Sequence, residues 1–336
     1  MKKKIDNAQN NVTAADLYDR KTIVKLNRDI GSQNQLKGWI YLAPALLLLL
    51  VFSFYPLINT FRMAFLNGYN GLAIVGGESF SVGIENFKTV LAYSDFKQCL
   101  LNTILLCVIT VPISTILALL IAVALNSIKP LQKVYQTVFF LPYVTNSIAI
   151  GMVFNAMFTR VGLGDLVQTQ GIINNILGIF GIGPFNFVNV GSSWGANMFV
   201  VCTYILWNAI QFKILVLLGG LQNVNKQYYE AAKIDGTSKV RTFFRITIPL
   251  VSPMLAYVII TSFIGGFKEY SSIVGIFGEG MGPGGNGQMN TIVGYVYNML
   301  PKSNLGNASA ASLILFGIIL IVTAINGYVS KKKVHY

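Results

Sequence analysis

The chain has 336 residues, 54% of them hydrophobic and only 11% charged. Soluble domains carry about 25% charged residues, so this chain cannot clothe a surface in water, and an ordinary soluble enzyme is excluded. Lys and Arg outnumber Asp and Glu by 25 to 12, a formal net charge of +13. Taken alone, that balance points to nucleic acid, anionic lipid or an acidic substrate.

The N-terminus, Met1-Lys2-Lys3-Lys4, opens a polar stretch with no apolar run in its first 30 residues, which predicts a basic tail over 1–38 and no cleavable signal peptide. Beyond it, a hydrocarbon core about 30 Å thick is crossed by roughly 20 apolar residues of helix. Six segments meet that length, near 39–65, 99–125, 134–158, 196–221, 246–267 and 308–329. The charge is not spread evenly between them. Lys2 to Lys37 hold eight Lys and Arg, followed on the same side by Lys129 and Lys133, by Lys226, Lys233, Lys239, Arg241 and Arg245, and by Lys331, Lys332 and Lys333. The other side has Lys88, Lys97, Arg160, Lys268 and Lys302, while Arg62 and Lys213 fall within spans. The excess of cations on one side predicts that both termini are cytoplasmic. The net charge then faces anionic lipid and is no sign of nucleic acid. The expected class is an all-α membrane protein of six transmembrane helices, with a spanning domain over 39–330 and a short cytoplasmic tail over 331–336.

Little conventional chemistry is available inside those spans. The three cysteines, Cys99, Cys107 and Cys202, lie in or beside apolar runs without metal spacing, and the only histidine is His335. No metal site and no catalytic residues are expected. Gly282-Pro283-Gly284-Gly285-Asn286-Gly287 satisfies GxGxxG in form, but no strand precedes it and it reads as a mobile outer loop.

The connection between the fourth and fifth spans is the most informative stretch. It reads as two short helices hinged at Gly236: Asn225 is placed to cap the first, and Asp235, Thr237 or Ser238 the second. Ala231 and Ala232 leave a small surface suited to a groove in a partner. Pro249 and Pro253 fall early in the following span, where a lost backbone bond is best tolerated.

Glu230, Ala231, Ala232, Gly236, Ile246 and Pro249 stand at the spacing of the EAA loop of ABC importer permeases, with Asp235 beside the glycine. Val82 to Phe87, Asn102-Thr103, Phe139 to Pro142, Tyr295 to Tyr297 and Ala308 to Ala310 also resemble segments of the carbohydrate type, the maltose and multiple-sugar permeases. The resemblance covers about 39–330. It implies a type I ABC importer permease of the plasma (inner) membrane that moves a sugar, an oligosaccharide, inward. It also implies partners: a second related permease, two ABC ATPase subunits and an extracytoplasmic solute-binding protein. ATP and Mg are expected on the ATPases, and no cofactor on this chain. The EAA loop, about 222–249, is then the coupling element, with Glu230, Ala231, Ala232, Asp235, Gly236, Ile246 and Pro249 as its residues.

Polar side chains within spans usually face a bundle interior or a water-filled cavity. Tyr204, Asn208, Gln211, Phe212 and Lys213 in the fourth span, and Ser262, Gly266, Glu269 and Tyr270 at the end of the fifth, are the candidate substrate-lining residues. Ile205, Ala209 and Phe212 form one i, i+4, i+7 stripe, and Ser262, Gly266 and Glu269 another. Both match lining positions in the resembled family, although Ile205, Ala209 and Gly266 offer a sugar no side-chain hydrogen bond. Lys213 reads first as a snorkelling side chain or the partner of another subunit's carboxylate, and second as a cavity cation for an acidic or phosphorylated saccharide. Lys268 and Glu269 read as neighbours at the outer rim. A permease for glycerol 3-phosphate or another acidic solute is the alternative within the class. An ATP-independent secondary transporter is disfavoured by the EAA spacing and by the lack of inverted repeats.

Overall fold

The computed structural model describes residues 37–72, 79–128, 132–163 and 166–333; most of the expected basic tail, Lys129, and His335 with its neighbours lie outside them. The chain divides into two units, Met1–Arg62 and Met63–Tyr336. Among the described residues five helices are long and apolar enough to cross a membrane, and there is a sixth crossing if one bent pair counts as a single span.

Helix α1, Lys37–Ala64, carries the first apolar segment. Its π turn over Leu50–Phe54 sits just before Pro56, which has no N–H to give the helix. In the second unit, α2 (Glu85–Ala92) precedes α3 (Ser94–Ser127), whose 34 residues make about 51 Å of helix. Next come α4 (Gln132–Phe140), a 3₁₀ turn over Leu141–Val144, and α5 (Ser147–Phe158). A short antiparallel hairpin, Arg160–Leu163 with Leu166–Gln170, leads to α6 (Ile172–Ile179) and α7 (Trp194–Gln222). Then follow α8 (Gln227–Ile234) and α9 (Lys239–Gly266), which contains a π turn over Phe243–Thr247. Helices α10 (Ser271–Phe277), α11 (Ile292–Met299) and α12 (Leu305–Lys333) complete the fold. Among the described residues the fold is helical, as expected, apart from the hairpin and one isolated antiparallel bridge between Leu66 and Val82.

Helix α3 is the central post. It buries Cys107, Thr110, Val111, Ser114, Thr115, Ala118 and Ala122 along one side and leaves Val108, Ile116 and Leu120 exposed on the other. Such an apolar outer face suits lipid, and small residues on the inner face let backbones approach where hydrocarbon gives no other drive. Ala118 and Ala122 accordingly pack with Ile214, Leu217 and Leu218 of α7 and with Val251 and Val258 of α9. Pro112 interrupts the α3 ladder, and the hydroxyls of Thr110, Ser114 and Thr115 turn back onto carbonyls nearby.

The segment expected as the third span, 134–158, is bent by 94° between Val144 and Ser147. The reason is local. Pro142 lies in the 3₁₀ turn, and Asn146 starts a new helix by accepting from Ile148 N at 2.9 Å and Ala149 N at 3.2 Å. Hydropathy carries no information on direction, so the bend was invisible to it. Beyond it, α5 meets α10 backbone to backbone: a Cβ on Gly151 would lie 2.6 Å from Gly275 Cα, and one on Gly275 2.9 Å from Ile148 O. Asn155 Nδ2 reinforces the seam by donating to Ile276 O at 2.7 Å.

The glycine-rich stretch, expected as a mobile outer loop, leaves Gly284 to Asn286 exposed but is anchored by the residues that flank them. Met281 and Met289 are buried. Asn102 of α3, fully buried, donates to Gln288 O and Asn290 O at 3.0 and 2.9 Å and accepts from Trp194 Nε1 at 2.9 Å. Thr103 Oγ1 accepts from Ile292 N at 3.1 Å.

Because neither backbone at the α5–α10 seam can yield to a branched side chain, Gly275→Val is expected to cost about 3 kcal/mol or more. A fall in the thermal midpoint of the purified protein, with less protein recovered in the membrane, checks this; an unchanged midpoint shows the seam to be loose.

Candidate functional site

Two places in the second unit concentrate the residues singled out by sequence. The first is the hinge between α8 and α9. Asn225 Oδ1 accepts from Gln227 N at 3.0 Å at the start of α8. At the other end Gly236 takes φ +64°, its N–H reaches Lys233 O at 3.1 Å, and Thr237 N reaches Ala232 O at 2.9 Å. That pair of bonds is a complete Schellman closure, which needs a residue in the left-handed region. Nothing lies within 4 Å of the place a Gly236 Cβ would occupy, so backbone conformation selects the glycine. Of the expected second caps, Ser238 acts, accepting from Arg241 N at 3.4 Å.

The hinge residues do not share one face. Ala232 is buried inside the chain, whereas Glu230, Ala231 and Asp235 are exposed. Tyr229 Oη donates to Thr247 Oγ1 at 3.3 Å and ties α8 to the π turn of α9. Ile246 and Pro249 flank Thr247 in sequence, half-buried. Two residues missed in sequence stand out: Ile234 is 87% exposed and Tyr228 54% exposed, with Ala231 midway between them at helical spacing. Together they form an exposed apolar edge along α8. The signal was there in the i, i+3, i+6 spacing.

The second place is a cavity of about 320 Å³ between α3, α7, α9 and the start of α10. Both stripes read from the sequence converge on it: Ile205, Ala209 and Phe212 from α7, and Ser262, Gly266 and Glu269 from the α9 end. Asn208 and Lys213 line it too. Gly266 lets α9 close on α3, since a Cβ there would meet Cys107 Sγ at 2.9 Å. Three further expected residues stand off the wall. Tyr204 is fully buried behind it, its hydroxyl donating to Ser147 O at 2.7 Å and accepting from Asn208 Nδ2 at 3.3 Å. Gln211 is buried with an unpartnered Oε1, and Tyr270 stacks on Tyr297 with ring centres 4.6 Å apart. Sequence missed Thr110 and Ser114 of α3, and Tyr143, which stacks on Phe212 at 5.5 Å from the bend after α4. These reach the cavity only through tertiary packing.

The charged groups are placed differently from expectation. Glu269 is structural as well as lining: Oε1 accepts from Tyr270 N at 3.2 Å and Ser272 N at 3.1 Å, capping α10. Lys213 does not snorkel. It is buried, and its Nζ donates to Ser114 Oγ at 2.6 Å and Thr115 Oγ1 at 3.3 Å on α3.

The profile of the family described as binding-protein-dependent transport system inner membrane component matches residues 95–335. The chain belongs to this family. It is a multi-pass inner-membrane transport component, a permease rather than an enzyme. The permease is 32% identical over 89% of its length, and 90% of the relative's, to the arabinooligosaccharides transport system permease protein AraP of Bacillus subtilis (strain 168). It is 29% identical to the lactose transport system permease protein LacF of Rhizobium radiobacter, over 86% of this chain and 91% of that one. Its fold matches a chain in the crystal structure of a bacterial alginate ABC transporter in complex with alginate pentasaccharide-bound periplasmic protein. That match has TM-score 0.74 at 21% identity and covers 91% of this permease and 96% of that chain.

The Glu269 cap gives this permease a direct check. Glu269→Leu removes the acceptor for both amides and is expected to lower stability by about 1 kcal/mol, while Glu269→Gln keeps an oxygen there and loses about half of that. Denaturation midpoints in one detergent measure both; equal losses in the two variants remove the capping role.

Proposed function

We propose that this permease imports a sugar, in its natural use an oligosaccharide, by exposing the cavity alternately to the two sides of the membrane. The observation that carries the proposal is the convergence of both stripes on one cavity of suitable chemistry. An aromatic pair, Tyr143 on Phe212, offers a stacking face. Asn208, Ser262 and Glu269 offer an amide, a hydroxyl and a carboxylate to sugar hydroxyls. The relatives named for arabinooligosaccharides and lactose support the same substrate class.

In this reading the six crossings are α1, α3, the bent α4–α5 pair, α7, α9 and α12. Both termini and α8 lie in the cytoplasm, following the bias of Lys and Arg. One chain builds only part of a path, so a second related permease faces this cavity. An extracytoplasmic binding protein delivers the sugar, and two ATPase subunits bind ATP and Mg. The apolar edge of Tyr228, Ala231 and Ile234 sits in a groove of one ATPase, with Glu230 and Asp235 as its polar flanks. Closure of the ATPases pushes α8; Tyr229–Thr247, Ile246 and Pro249 pass the movement to α9, and α9 carries Ser262, Gly266 and Glu269 with it.

Gly236→Pro tests the coupling, because proline cannot adopt φ +64° or donate to Lys233 O. In proteoliposomes holding the full assembly, sugar uptake per ATP hydrolysed is expected to fall by about tenfold, the scale of a coupling free energy of ~1.4 kcal/mol. Gly236→Ala, which keeps the N–H, should fall less. Uptake and ATPase both unchanged in Gly236→Pro would remove the hinge from the mechanism.

A further inference from the structure

The Lys213 ammonium is buried in a membrane-spanning helix, and among the described residues of this chain it has no counter-charge. The residue is 4% exposed, and its two hydrogen-bond partners, Ser114 and Thr115, are neutral. Both hydroxyls commit their own protons to carbonyls of α3, Ser114 to Thr110 O and Thr115 to Val111 O, so they turn lone pairs toward Nζ. Among the described residues no carboxylate stands at ion-pair distance from it; the single ion pair there joins Lys88 and Glu85. The nearby acid is Glu269, on the wall of the same cavity, and it already spends Oε1 on two backbone amides. A cation held among neutral donors and acceptors in low dielectric is costly, and such groups in spans pair with something or mark a ligand path.

We infer that Lys213 receives an oxyanion substituent of the transported sugar, so that the cargo of this permease is an acidic or phosphorylated saccharide. The inference rests on the sugar-import reading and names the substrate class for the same cavity. Lys213 and Glu269 line one space without forming an ion pair, which leaves one cationic and one anionic wall. A sugar acid complements both at once: its carboxylate or phosphate accepts from Lys213, and its hydroxyls donate to Glu269 and exchange hydrogen bonds with Asn208 and Ser262. A neutral sugar satisfies the Glu269 side and leaves the ammonium uncompensated. The volume enclosed by this chain alone, about 320 Å³, already falls within the range of ligand pockets, about 300–1,000 Å³.

The test uses the assembled transporter in lipid nanodiscs, with thermal unfolding followed in the presence of glucuronate, its neutral amide glucuronamide, glucose 6-phosphate, glucose and sodium sulfate at matched ionic strength. Glucuronate or glucose 6-phosphate is expected to raise the midpoint by about 2 °C or more over glucuronamide and glucose. Lys213→Gln should abolish that difference, and Lys213→Arg should keep it. If Lys213→Gln does not assemble, the wild-type comparison of glucuronate with glucuronamide decides alone. Equal shifts from charged and neutral sugars, a charge preference that survives Lys213→Gln, or sulfate alone reproducing the effect would each overturn the inference. ATPase stimulation by loaded binding protein, measured on the same preparation, separates the two readings: with stimulation intact, only the cargo class fails.

Discussion

Every backbone N–H and C=O inside hydrocarbon has to find a partner, because no water is there to take its place. The permease breaks its helices several times, and at three of these breaks polar side chains stand in for the missing ladder. Asn146 does so where the chain turns by 94° into α5. Glu269 does so between α9 and α10, and Asn102 and Thr103 hold the glycine-rich return to α11. These breaks also open the cavity. The bend brings Tyr143 onto Phe212, and the end of α9 sets Glu269 beside Ser262 and Gly266. A continuous helix in either place would fill the space with its own turns.

Helix α9 joins the two functional regions. It runs from Lys239, next to the hinge, through the π turn at Phe243–Thr247, to Gly266 on the cavity wall. Tyr229 fixes α8 to that π turn, and the Gly236 closure sets the direction in which α8 leaves it. π turns often sit at functional points of helices because the wider turn leaves backbone groups free to rearrange. Helix α9 is thus one continuous covalent link between the α8 hinge and the side chains around the cavity.

Much of this was legible from residues alone. Five of the six apolar segments form single long helices, because span length follows from hydropathy and the thickness of the bilayer. The hinge glycine was legible because its need for positive φ is local, as was the convergence of the two stripes, which depends on helical period. What sequence left out is non-local. Asn102 looks like any asparagine in an apolar run until Gln288 and Asn290 are brought to it across the fold. Gly151 and Gly275 form a seam only when α5 has turned. Of the readings of Lys213, snorkelling fails because the hydroxyls that hold it inside belong to another helix, which sequence does not place beside it. Tyr204 and Gln211 were chosen for their polarity, but the helix turns them behind the wall.

In the proposed function the cavity changes sides as the hinge moves. Ser262→Cys, in a chain whose Cys99, Cys107 and Cys202 are replaced by alanine, places one reactive thiol on its wall. Reaction with a membrane-impermeant maleimide, applied from either side of vesicles holding the full assembly, measures access directly. Labelling from the ATPase side without nucleotide, switching to the opposite side when ATP and vanadate trap the ATPases closed, is the predicted result. The same labelling pattern in both states, with ATP hydrolysis intact, would contradict it.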